Sequence, residues 1–244
     1  MAQNGNKYKL LANQPAHKEL ENSSPTKLEN IKFSFEYFRQ LDYLGIKECD
    51  NTWFTGLLIR LSEISKLTLQ DINLIVCDKG PGSFTGIRIG VGTVLAFKDS
   101  LNIPCVGISS LESLAYNIDS DGIICSLIDA KNNNVYFGVF EKKNNIVTQL
   151  EELSFKTIKE IIPILTKYDK INFVGDGSII HKEHLLSNLN TCTFSDKNDL
   201  SSFSLGLAGL NAYNQNTNFD LMPLYLRKSQ AERALEEKKK RSDA

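Results

Sequence analysis

The chain contains a glycine-rich turn between an apolar run and an amphipathic stretch. Its residue types and their spacing suggest that it could bind a ligand. It reads Gly80-Pro81-Gly82-Ser83-Phe84-Thr85-Gly86-Ile87-Arg88-Ile89-Gly90. Backbone N–H groups in such a turn, at the amino end of a helix, can bind an anion. Gly80, Gly82, Ser83 and Thr85 are therefore candidate residues of an anion-facing or nucleotide-facing turn.

The spacing within this turn excludes three common motifs. A Walker A loop needs G-x-x-x-x-G-K-[ST], but Thr85 or Ile87 stands where the second glycine belongs, and no lysine follows. The dinucleotide-binding G-x-G-x-x-G also fails at Thr85. The serine-hydrolase G-x-S-x-G fails because Pro81 stands two residues before Ser83. The alternative to an anion site is a tight turn that leads into a helix N-cap, and the residues alone leave both open.

The helix predicted after the turn carries small residues along one face. Gly86 and Gly90 lie four residues apart, and Thr93 and Phe97 continue the stripe. A glycine inside a helix costs about 1 kcal/mol relative to alanine, so the repetition, with Gly92 as a third glycine, indicates that another backbone comes close. That backbone belongs either to the protein's own sheet or to a partner helix.

The elements around the turn alternate between strands and helices. Apolar, β-rich runs predict strands at 72–78, 103–108, 122–130, 134–142, 146–153 and 171–174. Helical periodicity predicts helices at 54–66, 87–101, 111–117, 154–168 and 200–214. Asparagine-rich separators at 131–134 and 142–145 predict hairpin turns. Together these elements predict an α/β fold with a mixed sheet.

The composition excludes several classes of protein. The 244 residues carry a formal net charge of −1, whereas a dedicated nucleic-acid binder usually has a basic excess. No apolar run reaches the ~18 residues of a membrane helix, and the amino end lacks the apolar core of a signal peptide. Five cysteines without a C-x-x-C pair are typical of reduced thiols. We therefore expect a cytoplasmic protein that does not bind membranes.

Two weaker candidates have simpler interpretations. His181 and His184 form an H-x-x-H pair without an evident third metal ligand, which favours a solvated helix surface. The Gly175-Asp176-Gly177-Ser178 segment follows a predicted strand, and a plain strand-to-helix turn is favoured over a phosphate-facing one.

Four segments in the same order resemble the bacterial TsaB (YeaZ) family: GPGSFTGIRIG (80–90), IPCVGISSLESLAYN (103–117), GIICSLIDAKNNNVYFGVFE (122–141) and PLYLRKSQAE (223–232). The resemblance runs from about residue 54 to residue 237. It implies an actin-like, ribonuclease-H-like fold of two lobes with mixed sheets. The first lobe would contain 51–103 and about 198–228, the second 104–197, and a charged tail 229–244.

The resemblance also implies a function. Members of this family form a non-catalytic subunit in the synthesis of N6-threonylcarbamoyladenosine in tRNA. They pair with the catalytic subunit TsaD and are joined by the ATPase TsaE, and they meet tRNA only through the complex. No cofactor is expected on this chain alone, although ATP or ADP at the interface of the complex stays open. The catalytic relative has two metal-binding histidines where this chain has Ser110 and Leu114, so no metal site is expected.

Two neighbouring helices are the predicted partner surface, for TsaD or for a second copy of this chain when TsaD is absent. Arg88 is the expected exposed anchor near this surface. The predicted interface residues are Phe54, Leu57, Leu58, Leu61, Gly86, Arg88, Gly90, Thr93 and Phe97.

Residues 1–50 depart from the family pattern. They lack the apolar strand ending in Asp-Thr or Asp-Ser with which the family opens, so we expect a divergent, disordered segment and a first lobe that is incomplete at its amino end. A frameshifted start and genuine divergence would both account for this departure. The alternatives for function are a nucleotide-binding or metalloprotease-like enzyme of the actin-like fold, and a stand-alone nucleotide-binding module that uses residues 80–86.

Overall fold

The computed structural model describes residues 71–227 of the chain. The predicted helix at 54–66, and with it Phe54, Leu57, Leu58 and Leu61, lies outside the described residues. So do the divergent segment 1–50 and the charged tail 229–244.

Eight strands and six helices are present between residues 71 and 227. The strands are β1 (Ile75–Asp78), β2 (Cys105–Ile108), β3 (Gly122–Asp129), β4 (Asn134–Lys143), β5 (Ile146–Gln149), β6 (Ser154–Thr157), β7 (Ile171–Val174) and β8 (Cys192–Phe194). The helices are α1 (Phe84–Leu101), α2 (Ser110–Ala115), α3 (Ile158–Leu165), α4 (Asp176–Ile180), α5 (Lys182–Asn188) and α6 (Ser202–Asn214).

The strands form two sheets. In the small sheet, β1 and β2 are parallel, with Ile75 opposite Cys105. The large sheet has the order β5-β4-β3-β7-β8, and β6 pairs with the amino-terminal half of β4. Strand β3 is antiparallel to β4 and parallel to β7, so the predicted mixed sheet is confirmed.

The asparagine-rich separators form the predicted turns. Lys131, Asn132 and Asn133 have positive φ between β3 and β4, and Asn144 and Asn145 have positive φ between β4 and β5. Asparagine tolerates this left-handed region better than most residues because its short side chain can bond to the local backbone. The two turns fix the register of the β3–β4–β5 hairpins.

The predicted helix at 154–168 is wrong at its amino end. Residues Ser154–Thr157 form strand β6, and α3 begins only at Ile158. The Thr157 side chain accepts a hydrogen bond from the Glu160 amide at 3.3 Å, and the Glu160 carboxylate accepts one from the Thr157 amide at 2.8 Å. This capping box fixes the start of the helix, which then continues through Pro163. The short strand β8 was not predicted.

Helices α2 and α6 lie between the two sheets. One face of the small sheet packs against α1 through a core that includes Cys77, Val91 and Val94. Its other face packs against α6 through a core that includes Val76 and Ala208.

The large sheet is covered in the same way. Leu111 and Leu114 of α2 pack on one face, together with Ile124 and Val174. Residues of α3 and α5 pack on the other face, among them Ile161 and Leu185. The resulting order is α1, small sheet, α6 with α2, large sheet, α3 with α5.

The cysteines within the described residues are free. Cys77, Cys105 and Cys125 are buried and Cys192 is partly buried, as expected for reduced thiols. Within residues 71–227, no helix combines the length and the apolar character that crossing a bilayer requires.

The close contact between α6 and β1 can be tested with a matched pair of glycine-to-alanine substitutions. A methyl group at Gly209 would overlap the side chain of Val76, so Gly209→Ala should lower the free energy of unfolding by about 2 kcal/mol. Gly92 is exposed on α1 with open space at the Cβ position, so Gly92→Ala should raise it by about 0.5–1 kcal/mol. Urea unfolding of both variants checks the prediction, and equal effects at the two positions would contradict it.

Candidate functional site

The carboxylate of Asp78, at the end of β1, organises the glycine-rich turn. It accepts a hydrogen bond from the Gly80 amide at 2.8 Å. It also accepts the Ser110 hydroxyl, which lies 2.7 Å from one carboxylate oxygen and 2.9 Å from the other. The Ser110 amide in turn donates to the Gly80 carbonyl at 2.8 Å. These bonds tie the turn after β1 to the first residue of α2.

Gly80 is required by the shape of this turn. Its φ is +99°, a conformation that favours glycine. A Cβ atom there would lie 2.7 Å from Cδ1 of Ile87 and 3.1 Å from the Leu224 carbonyl oxygen. Gly80 thus allows the chain near Leu224 to approach the turn closely.

The remainder of the turn is an N-cap. The Ser83 side chain accepts a hydrogen bond from the Gly86 amide at 3.3 Å, and the Ser83 carbonyl accepts one from the Ile87 amide at 2.9 Å. The tight-turn interpretation is therefore confirmed as to geometry. Because the anion bound to the Gly80 amide is Asp78 of the same chain, a phosphate at that amide would meet a carboxylate. Gly82 is partly buried and Thr85 is exposed.

The positions that match the metal ligands of the catalytic relative have other roles here. Ser110 is bonded to Asp78, and Leu114 is 1% exposed in the core between α2 and the large sheet. Within residues 71–227 no group of three or more His, Cys, Asp or Glu side chains could hold a metal ion. The chemistry of these two side chains does not suit a metal site.

Glu112, in the first turn of α2, is a titratable group close to the glycine-rich turn. Burial raises the pKa of its carboxyl to about 7, and the nearby Lys79 opposes this rise. The Lys79 ammonium instead lies 3.5 Å from the Asp220 carbonyl oxygen and 3.9 Å from its carboxylate. One turn further along the chain, burial raises the pKa of Tyr116, whose hydroxyl accepts a bond from the Asn211 side chain at 3.1 Å.

The glycine stripe of α1 turns partly toward the chain's own core. Gly90 is buried, while Gly86, Thr93 and Phe97 are partly buried, and Phe97 packs against the core beneath α1. Arg88 is exposed as expected, but its Nε donates to the Tyr225 hydroxyl at 2.8 Å, so its side chain is bound within the chain.

The solvent-facing side of α1 contains exposed residues outside the predicted stripe. Leu95 is 37% exposed and lies one turn from the exposed Gly92. Residues three apart lie on the same side of a helix, so this spacing could have indicated a second exposed face. The prediction instead followed the glycine stripe on the neighbouring side.

Of the two weaker candidates, the Gly175–Ser178 segment has a structural role, whereas His181 and His184 are partly buried and do not form the predicted solvated surface. Asp176 accepts hydrogen bonds from the amides of Asp129 at 3.0 Å and Gly177 at 2.8 Å, which confirms a plain strand-to-helix turn. The Asp129 carboxylate pairs with Lys131 at 2.7 Å. His181 lies at the junction of α4 and α5.

Comparison with protein families gives one match that covers most of the chain. Residues 51–235 match the family model "TsaD: tRNA N6-adenosine threonylcarbamoyltransferase". The chain is 36% identical over 127 residues to a tRNA threonylcarbamoyladenosine biosynthesis protein TsaB of Bacillus subtilis, covering 51% of this chain and 56% of the relative. It is 31% identical over 101 residues to the TsaB protein of Escherichia coli, covering 40% and 44%. The chain spans about half the length of the curated relatives it matches.

Solved structures show the same fold. One is a Pseudomonas aeruginosa protein described as uncharacterized with similarity to peptidase YEAZ, with a TM-score of 0.62 and 19% identity over 75% of this chain and 86% of that one. A second is YeaZ from Pseudomonas aeruginosa, with a TM-score of 0.56 and 20% identity over 70% and 82%. The expected α/β fold class with mixed sheets is thereby confirmed.

The raised pKa of Glu112 predicts a pH dependence of stability. Between its ordinary value of 4.5 and about 7, the unfolded chain releases the proton first, so the native state binds more protons. The free energy of unfolding should therefore fall by about 1–2 kcal/mol as the pH rises through this window, since partial solvent contact reduces the full linkage value. Glu112→Gln should remove this fall. Urea unfolding at pH 5 and pH 7.5 checks the prediction, and equal pH profiles for both proteins would contradict it.

Proposed function

Because the chain belongs to the TsaD family of tRNA N6-adenosine threonylcarbamoyltransferases, and within it to the TsaB (YeaZ) group, we propose that it is a non-catalytic scaffold in tRNA threonylcarbamoyladenosine synthesis. In this proposal it acts in the cytoplasm, pairs with the catalytic subunit TsaD, and is joined by TsaE. It contacts tRNA only through the complex and forms a homodimer when TsaD is absent.

The arrangement at the end of β1 is the observation that carries this proposal. Ligands of α/β folds bind outside the carboxyl ends of the strands, so a catalytic site would be expected there. In this chain the Asp78 carboxylate is bonded to the Gly80 amide and to the Ser110 hydroxyl. Among the described residues, no histidine bonds to Asp78 or Ser110 that could activate the hydroxyl as a nucleophile. The polar groups hold the fold together, which supports a scaffold over an enzyme.

The exposed side of α1 supports a docking role. Leu95 offers an apolar side chain to solvent, and Gly92 leaves open space at its Cβ position, so a partner helix could approach the backbone closely. We extend the proposed interface from the stripe of Gly86, Gly90, Thr93 and Phe97 to this side. Arg88 lies at the amino end of the same surface.

The bonds of Asp78 also bear on nucleotide binding. A phosphate at the Gly80 amide would displace Asp78 or lie beside it. We therefore propose that the chain alone holds no nucleotide, and that ATP or ADP joins only at the interface of the complex.

Charge placed on the exposed side of α1 tests the docking surface. Leu95→Glu should weaken binding to TsaD at least tenfold, because it buries a carboxylate in an apolar contact. Leu186→Glu is the matched control, since Leu186 is 51% exposed on α5 and lies outside the proposed interface. Titration calorimetry with purified TsaD checks this. Equal affinities of the Leu95→Glu and Leu186→Glu variants would remove α1 from the interface.

Reconstituted tRNA modification separates the scaffold from an enzyme. Product formation should require this chain and should fall with Leu95→Glu. The rate with Ser110→Ala should stay within about threefold of the unmodified rate, because the hydroxyl has a structural partner rather than a catalytic one. A loss of 100-fold or more with Ser110→Ala, in a variant that still binds TsaD, would favour the enzyme instead.

A further inference from the structure

The exposed side of α1 carries four residues with a regular spacing. Arg88, Gly92, Leu95 and Asp99 are separated by four, three and four residues, and all four are exposed. Because an α-helix has 3.6 residues per turn, this spacing places them in one row along the helix. It is also the spacing of the residues that meet between two helices of a coiled coil. These four residues, called the exposed row below, therefore have the geometry of a helix–helix contact.

The two ends of the exposed row have opposite charges. Arg88 lies in the second turn of α1, and Asp99 lies in its last turn. Within residues 71–227, neither side chain forms an ion pair with another group of the chain. A helix side with one unpaired charge of each sign at its ends is complementary to a second copy of itself turned end to end.

The Arg88 guanidinium is already oriented for an ion pair. Its Nε donates to the Tyr225 hydroxyl at 2.8 Å, and its Cζ lies 5.6 Å from the centre of the Tyr225 ring. Tyr225 is itself held by its ring stack on Phe84, with 4.8 Å between ring centroids. This is the one hydrogen bond of the Arg88 side chain to residues 71–227, so the terminal N–H groups remain for a carboxylate. Because the guanidinium is held in place, less side-chain entropy is lost when a carboxylate binds.

The middle of the exposed row is complementary in shape. Leu95 is 37% exposed, and open space surrounds the Cβ position of Gly92. Gly92 therefore leaves a gap beside the backbone of α1. An apolar side chain from a neighbouring helix could fill this gap, as a knob fills a hole in a coiled coil.

One symmetry operation satisfies the charges and the shape together. In a pair of identical helices related by a two-fold axis, each contact occurs twice, with residue i against residue j and j against i. An axis through the middle of the exposed row places Arg88 opposite Asp99 of the second copy. The same axis places Leu95 opposite Gly92 of the second copy, since both pairs have the same midpoint in the sequence. The charges and the gap are independent features, and they select the same register.

We propose that α1 pairs antiparallel with α1 of a second copy of this chain in that register. Two ion pairs between Arg88 and Asp99 lie at the ends of the contact, and two contacts of Leu95 on Gly92 lie at its centre. The proposal rests on the docking role of α1 proposed above and specifies how that side of the helix binds a second copy. The ion pairs lie at the solvated rim, so they select the register more than they add affinity.

Charge reversal tests this register in the full chain without TsaD. Arg88→Glu brings two pairs of like charges together, and so does Asp99→Arg. Each variant alone should therefore dimerise at least about tenfold more weakly than the unmodified protein. An equimolar mixture of the two variants should dimerise to within about threefold of the unmodified protein, because a carboxylate then faces a guanidinium at both ends. Sedimentation equilibrium of each variant and of the mixture gives the dissociation constants.

Two further variants separate the register from general effects of the substitutions. The combined variant Arg88→Glu/Asp99→Arg exchanges the two charges and should dimerise about as well as the unmodified protein, which also shows that the fold accepts both changes. Lys98→Glu is the matched control, because Lys98 is exposed on the same helix but lies about 100° around it from Asp99. It makes the same change of charge as Arg88→Glu and should change the dissociation constant by less than about threefold.

Four results would overturn the proposed pairing: an unmodified chain that stays monomeric, a mixture that dimerises no better than its components, a combined variant that stays monomeric, and a Lys98→Glu variant as weak as Arg88→Glu. None of these results would touch the proposed function. If Leu95→Glu still weakened binding to TsaD, the docking role of α1 would stand, and the pairing of two copies alone would fail.

Discussion

The hydrogen bonds of Asp78 are the constraint on which the arrangement of the first sheet depends. The carboxylate lies at the end of a buried parallel strand and binds one donor from the turn and one from α2. These donors offset part of the hydration that a partly buried carboxylate loses on folding. The strand end, the glycine-rich turn and the start of α2 therefore form one unit, and the path of α1 follows from it because Ser83 caps that helix.

Helix α2 is fixed at its other end by a second set of polar contacts. The Asn117 side chain donates to the carbonyls of Lys197 at 2.8 Å and Asp199 at 2.9 Å, and it accepts the Ser204 hydroxyl at 2.6 Å. The nearly buried Lys142 ammonium donates to the Ile118 carbonyl, and burial lowers its pKa. A positive charge just beyond the carboxyl end of a helix is favourable. With both ends held, α2 sets the distance between the two sheets.

Local chemistry explains which parts of the fold could be predicted from the sequence. The two asparagine-rich turns, at 131–134 and 142–145, depend on neighbouring residues, so the sequence predicts them correctly. The start of α3 was misplaced because residues 154–157 have helical periodicity but gain their hydrogen bonds from β4, a non-local partner. The bond between Arg88 and Tyr225 joins positions 137 residues apart. Helix periodicity predicts that Arg88 is exposed but cannot predict that its side chain is bound within the chain. The raised pKa of Glu112 could not be predicted either, since its burial depends on tertiary packing.

The two sides of α1 have different physical requirements. One side packs on the small sheet, and the other is the proposed docking face. Toward the core, Val91 and Val94 pack on the small sheet, and the buried Gly90 beside them adds no side-chain volume. At the amino end, Phe84 and Arg88 are occupied by Tyr225, which leaves Leu95 and its neighbours on the next turns as the open apolar surface.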